Sequence, residues 1–327
     1  MGRVQVKMGL RNILQGSLLL FGVTQIPHLA EAKPFTNIRP VMNQTQPSGV
    51  RCFEQSSKIL SKRVSYCLDR SRPDLPQKAG EPVIYFFHGI GGGTSSWKEN
   101  GYEESLRILS TEENFPPFTV VSFDTSDLSF FSDAGGETRG SRAYESWFIE
   151  ELVPHIEKMH GLCSERKCRG TAGVSMGGLG ALKTALRHSD KFRFAAANSP
   201  ALVPFNPWES NMLWNDYFSR NEVGLLQGRL LLQSARDVFT NWDLGNYNDP
   251  SWLVGSFEDL EMFPELYFDV GGKDYFGFHE GFGRFQNALN RRGITYESYF
   301  DPNGSHELFW DRRWWLMRFL KRKVQEL

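Results

Sequence analysis

Val83-Ile84-Tyr85-Phe86-Phe87 is a continuous apolar run of β-favouring side chains, the pattern of a strand buried on both faces. Phe118–Phe123, the small-residue run Phe194–Asn198, Leu266–Val270 and Tyr296–Phe300 read as further strands. Val50–Phe53 and Arg63–Leu68 read as a strand pair joined by a polar connection. Elsewhere the apolar period lengthens. Trp147, Phe148, Leu152, Ile156 and Met159 recur at helical spacing within Tyr144–His160, and Gly161 fits the helix stop. Leu179–His188, Gly281–Arg292 (closed by Gly293) and Trp310–Val324 read as three more helices. Regularity falls from Pro200 to about Phe263, a stretch holding Trp208, Trp214, Trp242 and Trp252. It is either a cap insertion whose tryptophans shape a pocket or a small extra core, with Trp208 and Trp214 the candidate substrate contacts. Strands alternating with helices predict an α/β fold: a mainly parallel central sheet with helices on both faces. In such sheets the chemistry sits at the carboxyl ends of the strands.

Composition narrows the class. Hydrophobic residues are 40% and charged residues 23% of the 327, an ordinary globular balance. Net charge is −1 with Lys and Arg dispersed, so no basic stripe points to a nucleic-acid partner. The N-terminus carries Arg3, Lys7 and Arg11, then the apolar stretch Ile13–Ile26, then Ala30-Glu31-Ala32. That is the three-part pattern of a secretory signal peptide over residues 1–32, with cleavage near Ala32; an uncleaved membrane anchor is the alternative. Its removal takes the net charge to −3. No later stretch is long and apolar enough for a membrane span. Residues 33–49 read as a loose N-terminal extension. All four cysteines lie beyond the signal, at 52, 67, 163 and 168. Sequential pairing gives Cys52–Cys67 and Cys163–Cys168, one of three possible pairings. A zinc site from the four is the competitor, but close C-x2-C pairs are missing. Export to the periplasm or the outside is the expectation.

Gly173-Val174-Ser175-Met176-Gly177 is a G-x-S-x-G pattern between a strand signal and a helix signal, with Gly178 small as well. A hydroxyl is a weak nucleophile until a strained strand-to-helix turn presents it to a base, and glycine two residues to either side leaves the turn room. Ser175 is therefore the candidate nucleophile. The tetrahedral oxyanion needs two donors. The Met176 N–H supplies one. The other comes from His88-Gly89-Ile90-Gly91-Gly92-Gly93, directly after a buried strand: the Ile90 N–H, with Gly89 in reserve. His88 reads as structural. On such turns the order of groups is serine, acid, histidine. His306, in Asn303-Gly304-Ser305-His306 after the last strand, is the candidate base, with His279 next. Asp274, just beyond the strand Leu266–Val270, is the candidate acid. Asp269 lies inside that strand, Asp301 is too near His306 in sequence, and Asp124 precedes the serine.

Four segments together, Phe86-Phe87-His88-Gly89-Ile90-Gly91-Gly92, Gly173–Gly178, Asp269-Val270-Gly271-Gly272-Lys273-Asp274 and Gly304-Ser305-His306-Glu307, resemble the esterase D / antigen 85 group of α/β-hydrolases. That group includes secreted feruloyl and acetyl-xylan esterases, S-formylglutathione hydrolases and mycolyltransferases. The resemblance runs from about Val50 to the C-terminus. It implies the α/β-hydrolase fold over residues 50–327 and carboxylic-ester hydrolysis through an acyl-enzyme, with no metal or other cofactor. The implied substrate is a small or carbohydrate-linked ester, acetyl and feruloyl esters among them. S-formylglutathione hydrolases often carry a cysteine just after the oxyanion loop, where this chain has Gly93-Thr94-Ser95-Ser96. An acyltransferase using the same triad and a non-catalytic binding protein on this fold are the alternative readings. The oligomeric state is left open.

Overall fold

A computed structural model describes residues 49–125, 128–135, 142–307 and 310–327. The signal peptide and nearly all of the N-terminal extension expected from the sequence lie outside the described residues. A hairpin comes first, β1 (Arg51–Ser57) and β2 (Lys62–Arg70), in which Cys52 stands opposite Cys67 and is bonded to it. β3 (Val83–Phe87), the short helix α1 (Ser96–Glu99), α2 (Tyr102–Leu109) and β4 (Thr119–Phe123) follow. α3 (Tyr144–Trp147) runs through a π-helical turn at Phe148–Leu152 into α4 (Val153–His160), which stops at Gly161 in the left-handed conformation. β5 (Arg169–Val174), α5 (Met176–Arg187) and β6 (Phe194–Asn198) come next. Four helices then occupy one stretch: α6 (Asn211–Arg220), α7 (Leu225–Val238), α8 (Trp242–Tyr247) and α9 (Pro250–Ser256). β7 (Glu265–Gly271), α10 (Phe278–Arg291), β8 (Glu297–Asp301) and α11 (Trp310–Gln325) end the chain.

The eight strands form one sheet in the order β1-β2-β4-β3-β5-β6-β7-β8. β2 is antiparallel to both β1 and β4, and every other pairing is parallel. The side-chain period of two sorts each central strand between two cores. Val83, Tyr85 and Phe87 enter the core shared with α3–α4, α5, α9 and α10. Ile84 and Phe86 enter the opposite core, filled by Trp97, α2 and α11. Every residue of β3 is buried, which is why it appears in the sequence as an unbroken apolar run. Gly170 on β5 leaves the space that the Phe194 ring fills, since a Cβ there would lie 1.9 Å from it.

The stretch between Pro200 and Phe263 is more regular than its sequence suggests. Three of its four helices are announced by N-caps: the side chains of Ser210, Asn241 and Asp249 accept hydrogen bonds from Leu213, Leu244 and Ser251 N–H groups. α6 and α7 close over a satellite core of Trp214, Tyr217, Phe218, Val223 and Leu232. Leu253 and Val254 of α9 belong to a main core instead.

Candidate active site

Ser175 joins β5 to α5 with φ +57° and ψ −123°, a conformation that costs of order 1–3 kcal/mol for a residue with a side chain. The surroundings hold it there. Its N–H donates to Asn198 O (3.0 Å), and its carbonyl accepts from Leu179 N–H (3.1 Å) and Ala201 N–H (2.9 Å). The flanking glycines are required by space. A Cβ on Gly173 would stand 2.2 Å from Gly177 O, and one on Gly177 would stand 2.0 Å from Phe87 O.

Two loops at the same sheet edge meet the serine. The turn after β7 and the turn after β8 are laced together, with Gly272 N–H donating to Asp301 O (2.7 Å) and Lys273 N–H to Gly304 O (2.8 Å). Gly271 permits this approach, because a Cβ on it would lie 2.3 Å from Gly304 O. Asp274 is buried, and its Oδ1 accepts the Phe276 N–H at 2.9 Å. Its Oδ2 is 2.8 Å from His306 Nδ1, and His306 Nε2 is 2.9 Å from Ser175 Oγ. A carboxylate only accepts, so Nδ1 carries the proton and Nε2 is left as the acceptor for the serine hydroxyl. Ser175, His306 and Asp274 are thus brought together in one line of contacts.

Sequence reasoning missed the rings around this histidine. Phe276, Phe278 and Tyr275 lie edge-on to the imidazole, with centroids at 4.8, 5.3 and 5.5 Å. They pack around the ring that contacts Asp274. Burial raises the Tyr275 hydroxyl above its ordinary value, and Asp274 and Glu307 add to the rise. The signal was the aromatic run Tyr275-Phe276-Gly277-Phe278 directly after the acid.

The other candidates are committed elsewhere. Asp269 is fully buried against Arg312, Asp301 Oδ1 accepts the Asn303 N–H, and Asp124 accepts the Thr94 N–H. His279 sits in the first turn of α10. His88 is buried, with Nδ1 against Gly89 O (2.8 Å) and Nε2 against Thr125 Oγ1 (2.9 Å). That anchors the glycine loop, which closes through Gly92 N–H on Gly89 O (3.1 Å). Gly89 abuts the serine: a Cβ on it would be 3.5 Å from Ser175 Cβ. Ile90 follows it, partly buried. Met176 opens α5, where the first N–H groups lack partners within the helix. Trp208 is 39% exposed and donates its indole N–H to Phe239 O. Trp214 is 4% exposed and packed on Phe205, Tyr217 and Phe218, so it fills the satellite core. Cys163 is bonded to Cys168. A cavity of about 540 Å³ borders Arg187 and His188, roughly 18 Å along α5 from Ser175 by helical rise, so it is not the space before the serine. Among the described residues no His, Cys, Asp and Glu cluster is placed to hold a metal, and no helix is long and apolar enough to cross a membrane.

The family model described as "Putative esterase" matches residues 70–252, more than half of the chain. The chain belongs to this esterase family. An esterase of Mycobacterium tuberculosis is 33% identical over 258 residues, covering 71% of this chain and 50% of that protein. The chain therefore spans half the length of this curated relative. Among solved structures, a ferulic acid esterase superposes with a TM-score of 0.62 at 20% identity, over 86% of this chain and 99% of that one. An S-formylglutathione hydrolase from Agrobacterium tumefaciens gives 0.64 at 19% identity, over 87% and 98%. These likenesses establish the α/β-hydrolase fold that the esterase motifs imply. The matched span includes Ser175 and the glycine loop and ends before Asp274 and His306.

Proposed function

We propose that this esterase-family chain is a serine carboxylesterase, with Ser175 as nucleophile, His306 as base and Asp274 as the acid that orients it. The observation that carries the reading is the run of contacts from Asp274 Oδ2 through both nitrogens of His306 to Ser175 Oγ, at 2.8 and 2.9 Å. His306 Nε2 takes the hydroxyl proton as Ser175 Oγ attacks the ester carbonyl. Charge builds on the carbonyl oxygen and is met by the Met176 and Ile90 N–H groups, with Gly89 as the alternative to Ile90. The intermediate collapses, and the alcohol leaves with the proton held by His306. Water then gives a proton to His306 and its oxygen to the acyl carbon. The acid departs, and the proton returns to Ser175 Oγ. Asp274 keeps the imidazole in the working tautomer throughout.

The proposed substrates are small or carbohydrate-linked carboxylic esters, acetyl or feruloyl esters among them. The ferulic acid esterase among the structural neighbours supports this, and the exposed ring of Trp208 remains the candidate substrate contact. Export, with cleavage near Ala32, belongs to the same proposal and is supported by the two disulfides. Residues 50–327 are then the catalytic domain and residues 33–49 its leading extension. The test is product analysis on a panel of acetyl, feruloyl and longer acyl esters, with and without a sugar acceptor. Free acid from the short or feruloyl esters is the expected product. Transfer of the acyl group to the sugar in place of water identifies an acyltransferase, and turnover of none of the esters overturns the enzyme reading.

A further inference from the structure

Arg312, in the first turn of α11, is fully buried although it carries a charge. Its guanidinium has five N–H donors, and they go to three separate parts of the chain. Nε donates to Asp269 Oδ1 at 3.0 Å, and Nη2 donates to the same oxygen. Nη1 donates to the carbonyls on either side of His306, Ser305 O at 2.9 Å and Glu307 O at 3.3 Å. Nη2 also donates to Ser199 Oγ.

Ser199 belongs to the nucleophile's support. It follows β6 with φ +41°, in the left-handed region that a residue with a side chain rarely adopts. Its neighbour Asn198 accepts the Ser175 N–H, and Asn198 Nδ2 donates back to Arg312 O at 3.2 Å and to Asp269. Asp269 further accepts the Ser199 N–H (3.2 Å) and the Tyr267 hydroxyl (3.1 Å). Tyr102 closes the far side by donating to Asn198 Oδ1 at 2.6 Å. One guanidinium thus spans the loop that carries His306 and the corner that holds Ser175.

A buried ion pair is a poor route to stability, because desolvation offsets most of the attraction. Its directional bonds do fix the relative placement of the parts they join. A displacement of about 1 Å at reacting groups can cost on the order of 100-fold in rate, so the placement is worth holding. We infer that Arg312 is a positioning residue: it ties the His306 loop to the Asn198–Ser199 corner and so sets the Ser175–His306 distance. The inference rests on reading Ser175 and His306 as nucleophile and base.

The experiment compares wild type, Arg312→Lys and Ser199→Ala in the full chain by kcat, KM, rate of fluorophosphonate labelling, and the downfield NMR signal of the His306 Nδ1–H. Arg312 is fully buried and cannot touch substrate, so KM stays within about twofold of wild type while kcat falls roughly 100-fold in Arg312→Lys. Labelling slows in parallel, and the downfield signal shifts or broadens. Ser199→Ala removes a single bond to the corner, and its kcat falls several-fold with KM unchanged. It decides the matter if Arg312→Lys does not fold. Adding methylguanidinium to folded Arg312→Ala raises kcat. Wild-type kcat and labelling in Arg312→Lys, or in Ser199→Ala where Arg312→Lys is unfolded, overturn the positioning role. A loss confined to KM overturns it too. Wild-type protein that does not label at Ser175 overturns the underlying triad reading instead, so the two failures are distinguishable.

Discussion

Ser175 Oγ and His306 Nε2 lie 2.9 Å apart although 131 residues separate them in the chain. Parallel pairing of β5, β6, β7 and β8 in immediate succession produces this closeness. All four strands end at the same edge of the sheet, so the turns after β5, β7 and β8 share one small volume. The glycines at 173, 177 and 271 let the backbones there approach within distances that a Cβ would forbid.

Gly177→Ala tests that crowding directly. The new Cβ would meet Phe87 O at 2.0 Å, and a backbone atom cannot swing away as a side chain does. The variant is expected to lose about 1–3 kcal/mol of stability and nearly all ester turnover. Thermal melting with a turnover assay checks both, and a variant with wild-type values contradicts the packing described for the turn.

Phe276→Ala removes the nearest of the three rings around His306 but keeps the backbone N–H that Asp274 accepts. Aromatic contacts of this geometry contribute about 0.5–1.5 kcal/mol. The expected result is a kcat lowered by up to about tenfold, read from steady-state kinetics.

Replacing Cys52 and Cys67 together by serine opens a covalent loop spanning 15 residues. The chain-entropy relation puts the loss near 3 kcal/mol. Because the hairpin lies at the sheet edge remote from β5–β8, kcat per folded molecule should not change. Urea unfolding and non-reducing peptide mapping are the measurements.

Glu145 gives the pH dependence of stability a sign. Burial alone would raise its carboxyl, but the Lys183 ammonium, the His188 hydrogen bond and Arg187 outweigh burial and hold it down at about 2. A carboxyl lowered in the folded state contributes stability that is fully present above its unfolded value, near the ordinary 4.5. That contribution is lost as pH falls from there toward about 2. Glu145→Gln leaves the Lys183 charge buried without its counter-ion, and breaking such a pair costs about 3 kcal/mol or more. The stability gap between wild type and variant should therefore close as pH falls from about 4.5 toward 2, and narrow again as pH rises toward about 8, where burial has lowered the Lys183 ammonium and the variant's uncompensated charge is lost. Urea midpoints across that range provide the check.

Much of the central sheet is legible in the sequence because burial on both faces demands continuous apolar runs; Val83–Phe87 and Phe194–Asn198 carry the same bounds as β3 and β6. The line from Ser175 to Asp274 is legible because each group sits at a strand end beside glycines. The helices α6–α9 are less so. Met212, Leu225, Leu226 and Leu230 are exposed, which blurs the helical period, and the informative marks were the caps Ser210, Asn241 and Asp249, the last followed by Pro250. The Arg312 network is not legible at all. It joins groups as many as 114 residues apart through backbone carbonyls and a buried ion pair, and neither leaves a local pattern.

The central claim is that Ser175 forms the covalent acyl intermediate. Mass mapping of the protein after reaction with a fluorophosphonate, alongside ester turnover of Ser175→Ala, tests it most directly. The account predicts that the peptide containing Ser175 carries the label. It also predicts that Ser175→Ala, still folded, takes no label and loses several orders of magnitude in turnover. Label on a different serine, or wild-type turnover in Ser175→Ala, contradicts it.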